Sequence, residues 1–279
     1  MTQVLQLGPL ALSLGVLLTV AALAVGHQVG MRLGRRAGLD VERVLWRMLL
    51  VGLAVSRLAF VLQWRGAYLA EPLSILDIRD GGWEPGWGLA AACLHGLHAV
   101  RHQGALRRSV VATVLATGAT LVAGHLALLW VARPAQPLPA LALRSLDGAT
   151  VPLASFGGRP TVINLWATWC PPCRREMPVL QQAQQAHPDL NFVFVNQGEA
   201  AQLIERYLRR QGLELRHVLV DERQQAGLAL GRQALPTTFF FDAQGRLAGT
   251  RVGELSAATL ARQLQQLRQA SSLTGPTTP

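Results

Sequence analysis

The stretch Trp166-Ala-Thr-Trp-Cys170-Pro-Pro-Cys173 decides the fold, and it continues the run Val162-Ile-Asn-Leu-Trp166. A short, mainly apolar run of this kind is typical of a buried strand. Two cysteines three residues apart, where such a strand is followed by a helix, are typical of a redox-active dithiol. The stretch therefore predicts a strand, a turn and a helix that begins at the cysteines, within an α/β domain.

A helix start at Cys170 favours ionisation of its thiol. The unpaired N–H groups and the dipole at a helix N-terminus stabilise negative charge, so we expect the pKa of Cys170 to lie below the free-thiol value of about 8.5. Cys173 would lie close behind and resolve a mixed disulfide formed at Cys170. This chemistry requires that the sulfur of Cys170 be exposed to an incoming polypeptide.

Two other interpretations of the cysteine pair start from the same residues. Half of a zinc site would need two further Cys or His ligands, but Cys93 lies in the N-terminal half, and His187 and His217 are isolated. An inert structural disulfide is the second alternative, although the strand-to-helix junction favours redox chemistry. We expect no metal and no cofactor beyond the redox-active Cys170–Cys173 disulfide.

The rest of the C-terminal half alternates short apolar strands with amphipathic helices. The predicted elements are strands at residues 192–195, 218–220 and 238–241, helices after Glu199 and after the N-cap candidate Ser256, and a hairpin turn at 242–245. The predicted domain spans residues 141–270, and a disordered tail is predicted at 271–279.

Three motifs resemble the TlpA/ResA/CcmG branch of the thioredoxin-like proteins. They are Trp166-Ala-Thr-Trp-Cys-Pro-Pro-Cys-Arg-Arg-Glu176-Met-Pro178, Val195-Asn-Gln-Gly-Glu199 and Leu235-Pro-Thr-Thr-Phe-Phe-Phe-Asp-Ala-Gln-Gly245-Arg246. The resemblance covers roughly residues 138–269 and implies a thioredoxin fold with an N-terminal hairpin extension and a central insertion. The activity that it implies is that of a membrane-anchored reductant of periplasmic disulfides.

The resemblance also implies roles for further residues. Pro236 would be a cis-proline that faces the dithiol and lets an incoming chain pair with the backbone beside Leu235. Glu176 would accept a proton from Cys173; the alternative is an ordinary first-turn glutamate that interacts with the helix dipole. Asn164 stands where thioredoxin has a buried Asp, so the proton transfer of that Asp is absent. A peroxidase is disfavoured, because it would use a lone Thr-x-x-Cys nucleophile.

The N-terminal half is predicted to span a membrane. A composition of 50% apolar and 15% charged residues argues against a wholly soluble chain. Uncharged stretches of about 20 residues can cross the hydrocarbon core, and shorter ones between them would complete a four-helix unit. The predicted spans are residues 7–25, 48–62, 87–100 and 109–131, within a membrane domain at 1–133 that a Pro-rich linker at 134–140 follows.

The arginines predict the orientation of these spans, because basic residues remain on the cytoplasmic side. They gather between the first and second spans and between the third and fourth, whereas acidic residues outnumber them in the loop at 63–86. We therefore expect a multi-pass inner-membrane protein whose C-terminal domain lies in the periplasm. A cleaved signal peptide is the alternative for the first span, but the positive n-region is missing.

The net charge of +10 is carried by arginine alone, since the 26 basic residues include no lysine. Schiff-base chemistry and Walker A phosphate loops, which need a lysine, are therefore excluded. Because the chain has no run of five or six like charges, we expect no nucleic-acid partner.

A looser resemblance concerns the membrane half. Gly52-Leu-Ala-Val-Ser-Arg57-Leu, Tyr68-Leu-Ala-Glu-Pro72-Leu-Ser-Ile and Asp80-Gly-Gly-Trp83 are similar to part of the prolipoprotein diacylglyceryl transferases. The His-Gly-Gly stretch of those enzymes is replaced after Gly82. The resemblance therefore implies a membrane anchor that derives from a transferase but has lost the transferase activity. Arg57 is expected to pair with an acid or a carbonyl inside the bundle, or else to bind an anionic lipid head group.

The partners follow from the cysteine count. Cys93 has no second membrane cysteine with which to relay electrons, so the resemblance implies a transmembrane donor of the DsbD or CcdA kind. The implied clients are periplasmic proteins with disulfides, such as apocytochrome c or copper-site proteins, and membrane lipids surround the anchor. Two alternatives are a lipid-modifying transferase or lipid-binding protein with an accessory redox domain, and a non-catalytic client-binding module.

Overall fold

The structure, a computed structural model, describes residues 4–7, 10–70, 72–77, 80–130, 136–231 and 233–273. It divides into two compact units, which contain Leu12–Ala132 and Arg133–Pro279. Residues 134–135 of the predicted linker and 274–279 of the predicted tail lie outside the described part of the chain.

The first unit is helical. Its helices are α1 (Leu14–Arg36), α2 (Glu42–Gln63), α3 (Arg65–Ala70), α4 (Pro85–Ala99) and α5 (Gly104–Trp130), with a 3₁₀ turn at Pro72–Leu76. Two paired strands, β1 (Val4–Leu7) and β2 (Leu10–Ser13), precede the helices in the chain.

Three helices are long and apolar enough to cross a membrane, namely α1, α2 and the part of α5 at Leu106–Trp130. The first predicted span, at 7–25, is wrong at both ends. Residues 10–13 form strand β2 and are not part of the helix, and Arg35 and Arg36 lie in its last turn, where cations interact favourably with the helix dipole. The third predicted span corresponds to α4, whose 15 residues fall short of the usual length of about 20.

Small residues let the helices of this unit approach closely. A Cβ atom at Gly26 of α1 would collide with Thr117 Oγ1 of α5, and one at Gly88 of α4 would lie 2.6 Å from the carbonyl oxygen of Gly52 in α2. Small residues at helix contacts are typical of membrane proteins, whose outer faces are apolar. Large side chains such as Leu50 and Leu115 are accordingly exposed.

The second unit is a seven-stranded sheet with helices. The strands are β3 (Ala142–Ser145), β4 (Thr150–Pro152), β5 (Thr161–Trp166), β6 (Asn191–Gln197), β7 (Val218–Asp221), β8 (Thr237–Phe241) and β9 (Leu247–Val252). The helices are α6 (Pro171–Ala186), α7 (Ala201–Gln211), α8 (Gln225–Ala229) and α9 (Ala257–Leu273), with a 3₁₀ turn at Leu153–Phe156.

The strand order is β4-β3-β7-β6-β5-β8-β9. Strands β5, β6 and β7 run parallel, and β8, β9, β3 and β4 are each antiparallel to their neighbours. This is a thioredoxin-like arrangement with a β3–β4 hairpin before the core. Helix α7 and strand β7 are inserted between its βαβ and ββα halves. The prediction of an α/β thioredoxin-like fold after a helical unit is therefore confirmed.

The local elements predicted in this unit are present. The four predicted strands correspond to β5, β6, β7 and β8. Ser256 caps α9, because its hydroxyl oxygen accepts a hydrogen bond of 3.2 Å from the Thr259 N–H. The turn from Asp242 to Gly245 closes the β8–β9 hairpin. Helix α9 continues to Leu273, so the first three residues of the predicted tail are helical.

Strand β5 is buried on both faces and separates two apolar clusters. Val162 and Trp166 belong to the cluster that also contains the cysteines of α6, whereas Ile163 and Leu165 belong to the cluster on the opposite face. Because side chains alternate along a strand, Asn164 points to the same face as Val162 and Trp166. This alternation places a polar side chain beneath α6.

Candidate active site

The loop from β5 to α6 places the two cysteines at the first turn of the helix. Cys170 is the N-cap residue. Pro171 and Pro172 have no N–H, which is tolerated because the first N–H groups of a helix lack intrahelical partners. The Cys173 N–H is thus the first available donor, and it donates to Cys170 Sγ at 3.3 Å. A hydrogen bond to the Cys170 sulfur therefore closes the first turn of α6.

Cys170 and Cys173 form a disulfide, with their Cα atoms 5.3 Å apart. The expected exposure of the sulfurs is wrong for this disulfide form, since Cys173 is fully buried and Cys170 is only 3% exposed. The reason is that both sulfurs belong to the apolar cluster between the sheet and α6. Of the two, Cys170 is the one that retains some surface for an incoming chain. Trp169, directly before Cys170, is 67% exposed and presents an apolar surface beside the disulfide.

Glu176 lies one turn beyond Cys173 and is completely buried. Its carboxylate accepts hydrogen bonds from Asn164 Nδ2 at 2.8 Å and from the Leu255 N–H at 2.9 Å. Burial raises the pKa of Glu176 to about 8, and the two hydrogen bonds oppose this rise. Glu176 is therefore tied to β5 and to the segment before α9, and is not an exposed first-turn glutamate.

Asn164 has a function that sequence reasoning missed. Its amide also donates to Thr238 Oγ1 at 3.0 Å, so it connects Glu176 with β8. From the sequence, Asn164 is recognisable only as the loss of the acid that thioredoxin has at this position. The alternation along β5 could have placed it beneath α6, but no local pattern indicates its pairing with Glu176, which is twelve residues away.

Glu199 is the second residue that was missed. It is buried, and its carboxylate accepts from the Thr168 N–H at 2.7 Å, from Thr168 Oγ1 and from Asn196 Nδ2 at 2.7 Å. These hydrogen bonds fix the backbone two residues before Cys170 to the end of β6. The family motif included Glu199, but the sequence offered no reason for its presence.

Pro236 directly precedes β8, and the Leu235–Pro236 peptide bond is cis. Since Thr237 pairs with Leu165 across the β5–β8 ladder, Pro236 lies at the sheet edge where β5 ends and the cysteine loop begins. Leu235 packs against the apolar cluster that contains both cysteines. The sequence-predicted site residues of this unit therefore converge on one edge of the sheet.

The remaining candidates belong to the helical unit. Cys93 is a free cysteine of α4. Among the residues that the structure describes, no group of three or more His, Cys, Asp or Glu side chains is arranged to hold a metal ion.

Glu199→Ala is expected to destabilise the sheet unit by about 2–4 kcal/mol, because three donors would lose a buried acceptor. The matched control is Glu205→Ala on α7, whose carboxylate forms an exposed ion pair with Arg209. It should change stability by less than about 0.5 kcal/mol. Urea unfolding of the full chain in detergent measures both. Equal effects of the two substitutions would show that the hydrogen bonds of Glu199 to Thr168 and Asn196 do not stabilise the sheet unit.

The pKa of Glu176 predicts a pH-dependent stability of the oxidised protein. The folded-state value of about 8 exceeds the ordinary 4.5, so the folded state retains a proton that the unfolded state loses. The stabilisation is complete below pH 4.5 and is lost as pH rises toward 8, by an amount on the order of 4 kcal/mol. Urea unfolding at pH 5 to 8 measures it, and Glu176→Gln should remove this dependence. The same slope in both proteins would refute the assignment.

Comparison with known proteins covers the sheet unit. The Redoxin family model matches residues 133–264. The thiol-disulfide oxidoreductase ResA of Geobacillus thermodenitrificans is 29% identical over 132 residues, which are 47% of this chain and 75% of the relative. The thiol:disulfide interchange protein DsbE of Pseudomonas fluorescens is 32% identical over 138 residues, which are 48% of this chain and 75% of that relative.

A solved thiol:disulfide interchange protein from Chlorobium tepidum is 32% identical, with a TM-score of 0.43, and the match covers 50% of this chain and 98% of that one. The identity to DsbE, over three quarters of its length, agrees with the buried disulfide at the start of α6. Through its C-terminal unit, the chain belongs to the ResA- and DsbE-type thiol:disulfide interchange proteins and is a thiol-disulfide oxidoreductase.

Proposed function

We propose that the chain is a membrane-anchored reductase of protein disulfides outside the cytoplasm, with Cys170 as nucleophile and Cys173 as resolving thiol. The observation that carries this proposal is the position of the pair. Cys170 Sγ caps the N-terminus of α6, where negative charge is stabilised, and Cys173 lies behind it without exposure.

The reaction begins with the reduced protein. The Cys170 thiolate attacks one sulfur of a client disulfide, whose S–S bond breaks and leaves a client thiolate and a mixed disulfide. Cys173 then attacks Cys170 Sγ, which releases the second client thiol and forms the Cys170–Cys173 bond. The client gains two electrons and the protein loses two. The disulfide in this structure corresponds to the product of that sequence.

Cys173 must lose its proton before it attacks, and Glu176 is the acceptor that we propose. Only the ionised form of Glu176 can accept this proton, and with a pKa of about 8 that form increases as the pH approaches 8. Transfer to it from a thiol with a pKa of about 8.5 is nearly balanced. Both side chains are buried on the same face of α6, one turn apart. Pro236 would hold the incoming chain against the sheet edge beside Leu235.

The proposed location is the inner membrane, with several spans and the sheet unit in the periplasm. Three apolar helices support anchoring. Arginines in the last turn of α1, at the start of α2 and around the start of α5 support a cytoplasmic position for these helix ends. Since Cys93 is the sole cysteine outside the active pair, electrons would come from a transmembrane donor of the DsbD or CcdA kind.

A lipid-transfer activity of the helical unit is not part of this proposal, because Arg57 is occupied within the protein. The Arg57 guanidinium donates to the carboxylate of Asp80 at 2.9 Å. It also donates to the carbonyl oxygens of Ser74, Ile75, Asp77 and Gly82. These bonds support the pairing expected for an arginine inside a bundle and an anchoring role among membrane lipids.

Trapping of the mixed disulfide tests the proposed function. Cys173→Ala should accumulate covalent adducts in cells, because the resolving step is blocked, and mass spectrometry should identify the adducts as exported proteins with cysteine pairs. Cytochrome c and copper-site proteins are the clients we propose. Cys93→Ser in the same background should leave the adducts unchanged, and Cys170→Ser should abolish them. The absence of adducts, or adducts with cytoplasmic proteins alone, would overturn the proposal.

A further inference from the structure

A pocket of about 350 Å³ lies beside the cysteine loop, between the start of α6 and one face of α7. Arginines from both helices line it, together with apolar and hydroxyl side chains. Its principal lining residues are Thr168, Arg174, Leu203, Arg206, Tyr207 and Arg210. The four that belong to α7 recur at helical spacing and therefore share one face of that helix.

Within the described part of the chain, the three arginines of this pocket form no ion pair, although the buried Glu199 carboxylate accepts hydrogen bonds from the lining residue Thr168. None of the ion pairs found there includes Arg174, Arg206 or Arg210. Glu205, the acidic residue of α7, pairs with Arg209 at 3.6 Å, and neither residue lines the pocket. Because three arginines line one small pocket, a carboxylate bound there could form a charge-assisted hydrogen bond with more than one of them.

The pocket also has an apolar side. The Tyr207 ring centroid lies 5.7 Å from that of Trp166, and the Arg174 guanidinium lies 5.9 Å from the Tyr207 centroid. Leu203 is 40% exposed. These groups suit the methylene stem of an acidic side chain whose carboxylate pairs with Arg206 and Arg210.

We propose that this pocket binds acidic side chains of a client polypeptide next to its reacting cysteine. The inference rests on the proposed function. Thr168, which lines the pocket, is two residues from Cys170, and each residue of an extended client spans about 3.5 Å. A client whose cysteine meets Cys170 can therefore place a residue a few positions away in the pocket. The substrate class is cysteine pairs flanked by Asp or Glu.

Two cyclic disulfide peptides, identical except for two Glu or two Gln beside one cysteine, test the proposal. The full chain in neutral detergent is reduced with dithiothreitol, desalted and mixed with each peptide. Oxidation of its dithiol by the peptide disulfide is followed as a single turnover. Each rate is divided by the rate at which dithiothreitol reduces that peptide, which removes the effect of Glu on the peptide cysteines.

The normalised rate should be about tenfold higher for the Glu peptide at low salt, and the ratio should approach one in 1 M NaCl. Arg206→Gln/Arg210→Gln should lower the ratio below two while leaving the rate with the Gln peptide unchanged. The control Arg159→Gln/Arg209→Gln removes the same charge from positions that do not line the pocket. It should retain the preference.

Equal normalised rates with the two peptides in the wild type, or equal losses in the two double variants, would overturn the assignment of the pocket. In either case oxidation of the dithiol by the Gln peptide would still support the proposed reductase. If neither peptide oxidises the dithiol, the proposed function itself fails.

Discussion

The structure of the active region depends on one interaction, the hydrogen bond from the Cys173 N–H to Cys170 Sγ that closes the first turn of α6. Two prolines remove the first two N–H donors, so the Cys173 N–H, 3.3 Å away, is directed at Cys170 Sγ. This arrangement brings the two cysteines within bonding distance and stabilises charge on the first of them. Glu199, Asn164 and Glu176 each fix an element around this turn.

Burial and ionisation act against each other at this site. An apolar environment raises the pKa of thiols and carboxyls, whereas a helix N-terminus lowers that of a thiol. The protein combines the two effects, because Cys170 lies at the helix end and Glu176 lies deeper, where burial dominates. In the proposed mechanism Cys170 is the nucleophile, and Glu176 is a carboxylic acid whose pKa burial raises to about 8. Such a pair suits a two-step exchange of disulfides.

Local patterns predicted the elements that depend on neighbouring residues. The strand at Val162–Trp166, the cap at Ser256 and the cysteine helix follow from short motifs whose physical causes are local. The contacts of Asn164 with Glu176 and of Glu199 with Thr168 could not be predicted, because they join residues 12 and 31 positions apart without any periodic signal. The burial of Cys170 was missed for the same reason, since distant segments cover it. In the helical unit, hydropathy located the C-terminal ends of α2, α4 and α5 to within one residue, whereas α1 begins and ends later in the chain than predicted.

The most direct measurement of the central claim is the rate at which iodoacetamide alkylates each cysteine of the reduced full chain between pH 5 and pH 10, with the modified residue identified by mass spectrometry. We expect Cys170 to react before Cys173, with a midpoint below the free-thiol value of about 8.5. Faster reaction of Cys173, or a midpoint for Cys170 at or above that value, would contradict the stabilisation of its thiolate by the first turn of α6.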